Sequence, residues 1–443
     1  MVRSSISGFP ELLPHERFAE LQMLDSLRRT FELHGFSPLE TRAVEKLETL
    51  AKKGETSKEV YALSRIHDVK SDSSDAQLGL HFDLTVPFAR FVVENSGHLV
   101  FPFKRYQIQK VWRGERPQEG RFREFVQADI DVVGQDTLPF HYEVDLPLVM
   151  AEALDSLDIG QTIIQVNNRK VCEGFYEGLQ IADVAGTLRA VDKLDKIGEE
   201  GVARILVDDG GLSAQQAEAA LDLARISGED AKDVLEQVRA LGVSTELLEV
   251  GLSELGDLLT EAQATRPGAI RAVLKIARGL DYYTGSVYET LLVGHEDLGS
   301  IGGGGRYDSL ATVGKRSFPG VGISIGVTRL LSRLLASAEV GRPVATVVLV
   351  AVASESERHA SNEIAAQLRA RGIAADVAPT AAKFGKQIRH ADRLGIPFVW
   401  FPGDNQVKDI RSGEQVEADP RTWQAPDKDL YPVARWRQGD MPS

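Results

Sequence analysis

From Pro14 to His34 apolar side chains recur every third or fourth position, at Phe18, Leu21, Leu24, Leu27 and Phe31. Pro14 suits a first helical turn and Gly35 a C-terminal cap, so the spacing predicts an amphipathic helix. A short strand and a short helix are expected through Leu50. Between residues 100 and 134 aromatic and β-branched residues take over, interrupted by a charged turn, which predicts a long antiparallel hairpin. The stretch 172–265 is Leu- and Ala-rich, lacks proline and is broken by single glycines and by Asp208-Asp209-Gly210-Gly211. It reads as a helical insertion, with the sheet resuming near residue 268. A linker is expected at 336–343. Beyond it the pattern predicts a strand at 347–352, a helix at 356–371, a strand at 373–377, a helix at 381–394 and a strand at 397–401. That alternation marks a small α/β domain over 345–443.

With 443 residues, 43% hydrophobic and 26% charged, the chain can bury two or three cores. No apolar run approaches membrane-spanning length, and Met1 to Pro10 lacks the pattern of a secretory signal. Cys172 is the only cysteine, which excludes an intrachain disulfide and a cysteine-rich metal site and fits a cytoplasmic protein. Cys172 itself is expected to be a small core residue rather than a nucleophile. A net charge of -14 argues at first against nucleic acid. Its distribution changes that picture: residues 172–265 hold 20 acidic and 7 basic side chains, whereas 345–443 hold 13 of each. The acidity sits in the insertion, and the rest is left able to present basic patches to RNA.

Read as a strand of period two, Arg123 to Gly134 places Val126, Ala128, Ile130 and Val132 on one face. The other face carries Phe125, Gln127, Asp129 and Asp131. That face is either solvated or the floor of a pocket for a ligand with positive charge and donors, with Phe125 as a stacking surface. The preceding loop, Arg113-Gly114-Glu115-Arg116-Pro117-Gln118-Glu119-Gly120-Arg121, is suited to gripping phosphates.

Arg113, the charged loop and the returning Arg-Glu-Phe resemble motif 2 of class II aminoacyl-tRNA synthetases. Gly320-Val321-Gly322-Ile323-Ser324-Ile325-Gly326-Val327-Thr328-Arg329 resembles their motif 3, a strand, a glycine turn and a helix with an early arginine. Four further stretches are similar to the histidyl-tRNA synthetase family. They are Phe82-Asp83-Leu84-Thr85, Glu115-Arg116-Pro117-Gln118, Arg278-Gly279-Leu280-Asp281-Tyr282-Tyr283, and Gly302-Gly303-Gly304-Gly305-Arg306-Tyr307-Asp308. The tail around Val407 to Gln415 resembles the family's anticodon-binding domain. A regulatory paralogue from histidine biosynthesis shares the core but is expected to lack the Arg278 signature and the C-terminal domain; both stretches are present here.

The resemblance implies an α/β protein: an antiparallel-sheet class II core (1–171 and 266–335), a helical insertion (172–265) and a C-terminal α/β anticodon-binding domain (345–443). It implies a ligase that joins L-histidine to histidine tRNA using ATP with Mg2+ bound to the nucleotide, with no metal held by protein alone, acting as a homodimer. Arg113, Arg278 and Arg329 are then the catalytic cations, with Glu115, Arg121 and Phe125 completing the ATP site. Asp83, Leu84, Thr85, Gln127, Asp131, Tyr282, Tyr283, Gly304 and Tyr307 form the histidine site, the glycines admitting backbone close to the ligand. Arg116, Gln118 and Arg121 meet the tRNA acceptor end, and Lys383, Lys386 and Arg389 form a basic strip for the anticodon. Two departures stand out. Asp83 and Asp131 occupy positions where many bacterial members carry glutamate, which implies a tighter pocket. The segment Glu40 to Val44 lacks the proline usual in motif 1, so dimerisation is implied by the family alone.

Overall fold

The computed structural model describes residues 6–50, 59–65, 77–118, 120–277, 283–336 and 338–436. They fall into two compact units. One comprises Leu24–Arg333 with the residues up to Pro10, the other Leu334–Pro442 with Glu11–Met23.

A sheet of nine strands runs through the larger unit. In chain order these are β1 (Ser37–Pro38), β2 (Phe103–Trp112), β3 (Glu124–Val133), β4 (Thr162–Asn168), β5 (Ser227–Gly228), β6 (Ile270–Val273), β7 (Ser286–Leu292), β8 (Gly302–Tyr307) and β9 (Gly320–Gly326). Their spatial order is β1-β2-β3-β9-β8-β7-β4-β6-β5. From β2 across to β4 every neighbour is antiparallel. The expected hairpin is therefore present as β2 and β3, in register from Phe103 opposite Val133 to Trp112 opposite Glu124.

Helix α1 (Pro14–Leu33) forms as the spacing predicts, with Leu27 and Phe31 fully buried. Helix α2 (Thr85–Asn95) follows the Phe82–Leu84 segment, and α3 (His141–Asp155) follows β3. The insertion is helical: α4 (Arg169–Gly178), α5 (Val184–Val191), α6 (Leu194–Arg204), α7 (Ala214–Arg225), α8 (Ala231–Ala240) and α9 (Glu246–Thr265). Local chemistry explains several starts. Ser213 and Gln216 make a reciprocal capping box for α7, and Asp230 and Thr245 cap α8 and α9 through their side chains. The insertion also contributes an unexpected strand, since β5 pairs with β6 at the sheet edge. Two residues between helices carry too little pattern to be read as a strand. Cys172 is buried in α4, where desolvation pushes its thiol up to about 11, as a core residue rather than a nucleophile requires. Helix α10 (Val327–Leu335) closes the unit's chain directly after β9.

The smaller unit has a five-stranded sheet of β10 (Val348–Val350), β11 (Ala375–Val377), β12 (Phe398–Phe401), β13 (Gln406–Asp409) and β14 (Gln415–Glu417), ordered β11-β10-β12-β13-β14. Helices α11 (Arg358–Ala370) and α12 (Phe384–Arg393) accompany it. One apolar cluster joins Val348, Val350, Phe398 and Trp400 to Ile364 and Leu368 of α11. A second joins Leu349, Val399 and Phe401 to Ala391 of α12, so both sheet faces are covered. The segment expected as a linker is partly ordered: Ala338–Glu339 pairs with Arg435–Trp436.

Candidate active site

The floor of the site is β3, and its two faces divide as the alternation predicts. Ala128, Ile130 and Val132 are fully buried and Val126 nearly so. The opposite face is polar, yet Gln127, Asp129 and Asp131 are also buried. A solvated face is thereby excluded. These groups sit in a region that water barely reaches, so each must find a partner or leave an acceptor for a ligand.

Asp131 has partners inside the protein. Its Oδ2 pairs with Arg105 at 2.7 Å, and its Oδ1 accepts from the Tyr307 hydroxyl at 2.8 Å. Arg105 is wholly buried, lies 4.4 Å from the centroid of the Phe88 ring and donates to the Leu84 carbonyl at 3.3 Å. Burial and the Asp131 charge push the Tyr307 phenol well above its ordinary range, so it remains a donor. Leu84 and Tyr307, both expected in the histidine site, thus have fully buried side chains. Asp83 accepts from the Val86 backbone N–H at 3.0 Å and so stands at the start of α2, with Thr85 as that helix's first residue.

Asp129 is the carboxylate that sequence reasoning placed on the polar face but left out of the site. Burial pushes it up to about 7; Asp131 and Asp83 add to the rise, and Arg105 and a hydrogen bond from Ser324 oppose it. Among the described residues its Oδ1 and the Oε1 of Gln127 are buried acceptors without a hydrogen-bond partner. The Gln127 Nε2 donates to Ser324 Oγ at 2.6 Å. Ser324 lies directly across the strand pair from Asp129.

Above this floor opens a cleft of about 450 Å³. It brings together Arg113, Glu115, Arg121, Phe125, Gln127, Tyr283, Gly304 and Arg329 of the expected residues, and adds Phe122, Ser300 and Ser324. The Arg113 guanidinium lies 5.0 Å from the centroid of the Phe125 ring, and its Nε donates to the Phe82 carbonyl at 3.0 Å. The Glu59 carboxylate, raised by burial and the Glu115 charge, is drawn back down by the charges of Arg113 and Arg121, so these cations and carboxylates share one electrostatic neighbourhood. Arg329 is held by the carbonyls of Gly120, at 2.8 Å, and Ser300. Thr328, one residue earlier, accepts from the Val126 N–H at 2.8 Å, which fixes the start of α10 against β3. Glu115 and Arg121 face each other at 3.7 Å across the motif 2 loop. Arg116 and Gln118 are exposed on that loop outside the cleft.

The glycine run lines the cleft at Gly302, Gly303 and Gly304 and has a packing role besides. A Cβ on Gly304 would collide with the carbonyl of Gly322 on β9, and one on Gly322 would collide with Asp131. The missing side chains therefore let two strands and a buried carboxylate approach one another, besides leaving the cleft wall low. Tyr283 reaches the cleft and is fixed by its carbonyl, which accepts from Arg169 at 2.9 Å. Arg278 and Tyr282 lie outside the described residues.

In the smaller unit Lys386 and Arg389 line a hollow of about 390 Å³ with Thr380, His390 and Arg393. Lys383 is exposed at the N-cap of α12 but does not line it. Arg393, four residues beyond Arg389, was legible from helical spacing and was missed. Gln387 holds this helix to the chain just beyond β10 by bonds to both the N–H and the carbonyl of Val352.

The family described as histidyl-tRNA synthetase matches residues 8–330, and the anticodon binding domain family matches residues 346–420. The chain belongs to the histidyl-tRNA synthetase family. The histidine–tRNA ligase of Micrococcus luteus is 57% identical, over 98% of this chain and 99% of the relative. The crystal structure of histidyl-tRNA synthetase from Nostoc sp. PCC 7120 superposes with a TM-score of 0.83 at 37% identity, covering 94% of this chain and 97% of that one. A Bacillus halodurans protein described as an ATP phosphoribosyltransferase regulatory subunit/histidyl-tRNA synthetase has a TM-score of 0.72 at 18% identity, covering 88% and 97%, and shares the fold. Among the described residues no cluster of three or more His, Cys, Asp or Glu is arranged to hold a metal ion, and no helix is long and apolar enough to cross a membrane.

Proposed function

We propose that this cleft activates L-histidine with ATP and delivers it to the 3′ end of histidine tRNA, in a cytoplasmic homodimer as is usual for the family. The chain is an aminoacyl-tRNA ligase, and the observation that carries the assignment of its cleft is the meeting of Arg113 and Arg329 above Gln127. A histidine carboxylate oxygen attacks the α-phosphorus of ATP and pyrophosphate leaves. A ribose hydroxyl of the terminal tRNA adenosine then takes the acyl group and AMP leaves. Both steps need positioned positive charge more than a covalent intermediate. Arg113 holds the α-phosphate while Phe125 stacks on adenine, and Arg329 takes the γ-phosphate end, a planar fork on oxygens in each case. Arg278 supplies a further cation by family resemblance. Mg2+ enters on the nucleotide, and Glu115 is the carboxylate of the cleft wall that can face it.

Gln127, Asp83 and Thr85 receive the α-ammonium. Tyr283, with Tyr282 and the Asp131–Tyr307 pair behind, reads the imidazole, and such polar readers reject isosteres well. Arg116, Gln118 and Arg121 meet the acceptor end. Lys386 and Arg389, with Lys383 nearby, meet the anticodon.

Pyrophosphate exchange and tRNA charging test the whole reading together. Arg113→Gln should cut histidine-dependent exchange by roughly 100- to 1,000-fold, the scale for removing one transition-state donor. Arg389→Glu should weaken charging of histidine tRNA and leave exchange intact. Exchange that survives Arg113→Gln, or falls with Arg389→Glu, would reverse this division of labour.

A further inference from the structure

The first helix of the insertion, α4, begins with a cation in a place that does not favour one. Arg169 is its first residue, the Asn168 side chain already caps the helix, and a positive charge there opposes the helix dipole. The Arg169 side chain is mostly buried, and its Nε donates to Glu173 one turn on. Its Nη1 donates at 2.9 Å to the carbonyl of Tyr283, 114 residues away in sequence. The Arg169 backbone N–H donates to the Gly285 carbonyl, also at 2.9 Å. One residue thus grips two carbonyls of the segment 283–285, just before β7 begins. The other edge of that segment is held by β8 and the residue after it. The Thr284 N–H donates to the Arg306 carbonyl at 2.8 Å, and the Thr284 hydroxyl donates to Asp308. Arg306 is in turn paired with the buried Glu143 at 2.8 Å, and Glu143 accepts from the Ser286 N–H at 2.9 Å. Between the two grips the Tyr283 ring lies over Gly305, where a Cβ would come within 2.9 Å of it, and lines the cleft. The backbone bonds continue the pairing of β7 with β4 and β8, whereas the Arg169 guanidinium is an addition that sheet formation does not require.

We propose that Arg169 is a positioning residue that sets where the Tyr283 side chain stands in the histidine pocket, and that through it the root of the helical insertion is coupled to the reading of the imidazole. This rests on the assignment of Tyr283 to the imidazole. Arg169 does not line the cleft, so it acts through Tyr283 and not on histidine or ATP. A charge-assisted bond to the Tyr283 carbonyl restrains the backbone from which the ring projects. Misplacing a substrate-positioning group by about 1 Å can cost as much as about 100-fold.

The test is Arg169→Gln on the full chain, read as the KM for histidine and the KM for ATP in pyrophosphate exchange. The KM for histidine should rise about tenfold, on the scale of one hydrogen bond to a charged group, with the KM for ATP unchanged. Inhibition by 3-(imidazol-4-yl)propanoate, which keeps the imidazole and lacks the amine, should weaken by the same factor. Arg169→Lys, still able to donate to the carbonyl, should recover most of the affinity. In a Tyr283→Ala background Arg169→Gln should be nearly silent, because it acts through that side chain. An unchanged KM for histidine, an equal rise for ATP, or a full effect without the Tyr283 ring would overturn the proposal. Should Arg169→Gln fold poorly, Thr284→Val releases the same segment from Asp308 and should raise the KM for histidine alone. An unchanged value there would count against the proposal in the same way. A Tyr283→Ala variant with an unchanged KM for histidine would instead remove the site assignment, and the coupling with it.

Discussion

Strand β12 is buried along its length and β3 from Val126 onward, yet they solve burial in opposite ways. In β12 Phe398, Val399, Trp400 and Phe401 alternate between two apolar clusters, one beneath α11 and one beneath α12, with no charged side chain. In β3 one face is equally apolar, but the other buries Gln127, Asp129 and Asp131 and draws the fully buried Arg105 in from β2. Removing charge from water costs several kcal/mol per ion (roughly) unless hydrogen bonds and a counter-ion compensate, and apolar packing of the same volume is often at least as stable. The contrast teaches that β3's polar face is not there for stability. On the proposed reading it serves to read a ligand, and its internal partners limit the cost of burying it.

The sharpest way to break that comparison is to remove one member of the buried pair. Asp131→Ala leaves Arg105 charged, buried and without its counter-ion, and should cost about 3–5 kcal/mol in urea unfolding of the full chain. Replacing Arg105 and Asp131 together, by Met and Leu, should recover much of that loss while histidine activation stays impaired. A single variant as stable as the parent would show that the pair is already compensated by water, and that β3 and β12 do not differ in kind.

How much of this was legible in the sequence follows the same divide. Period-two alternation located β3 and its polar face, and apolar runs located β10, β11 and β12, because both are local patterns. The helix caps at Ser213, Asp230 and Thr245 are local patterns too, but they went unread within the insertion. Arg105 was not found: within Phe103 to Trp112 it looks like an exposed strand cation, and only its distant partner Asp131 makes burial tolerable. Leu84 and Tyr307 were assigned to the histidine site by motif position, whereas their side chains are fully buried. Gly304 was read as room for a ligand, and the neighbouring carbonyl of Gly322 became visible only once β8 and β9 were paired. Asp129 was visible on the right face, but nothing local tells a buried carboxylate from one that faces solvent.

A pH series sharpens the comparison at Asp129. Its folded-state value lies near 7, raised by burial from an ordinary carboxylate value of 3.8, so the folded protein favours the protonated form. The stability that this contributes is fully present below about pH 4 and is lost as pH rises through about 7. Asp129→Asn has nothing to ionise and should escape that loss. Its stability relative to the parent should rise between about pH 4 and 7 and level off above, by on the order of a few kcal/mol. Asp131 and Asp83 raise the Asp129 carboxyl further, while Arg105 and Ser324 hold it down. Parallel melting temperatures for the two proteins across that range would mean that Arg105 keeps Asp129 ionised throughout.

The smallest effect belongs to the apolar strand. Trp400 is fully buried in β12, packed edge-on against Trp423 at 5.8 Å, and among the described residues its indole N–H finds no partner. An unpaired buried donor opposes folding, so Trp400→Phe removes a polar liability at the same time as it opens a small void. The two terms have opposite signs, and the net change should be about 1 kcal/mol or less in thermal or urea unfolding. Charging of histidine tRNA should be unaffected. A loss comparable to that of Asp131→Ala would mean that the indole N–H has a bound water as its partner. The apolar sheet would then contain a polar requirement of its own, and the contrast with β3 would be one of degree.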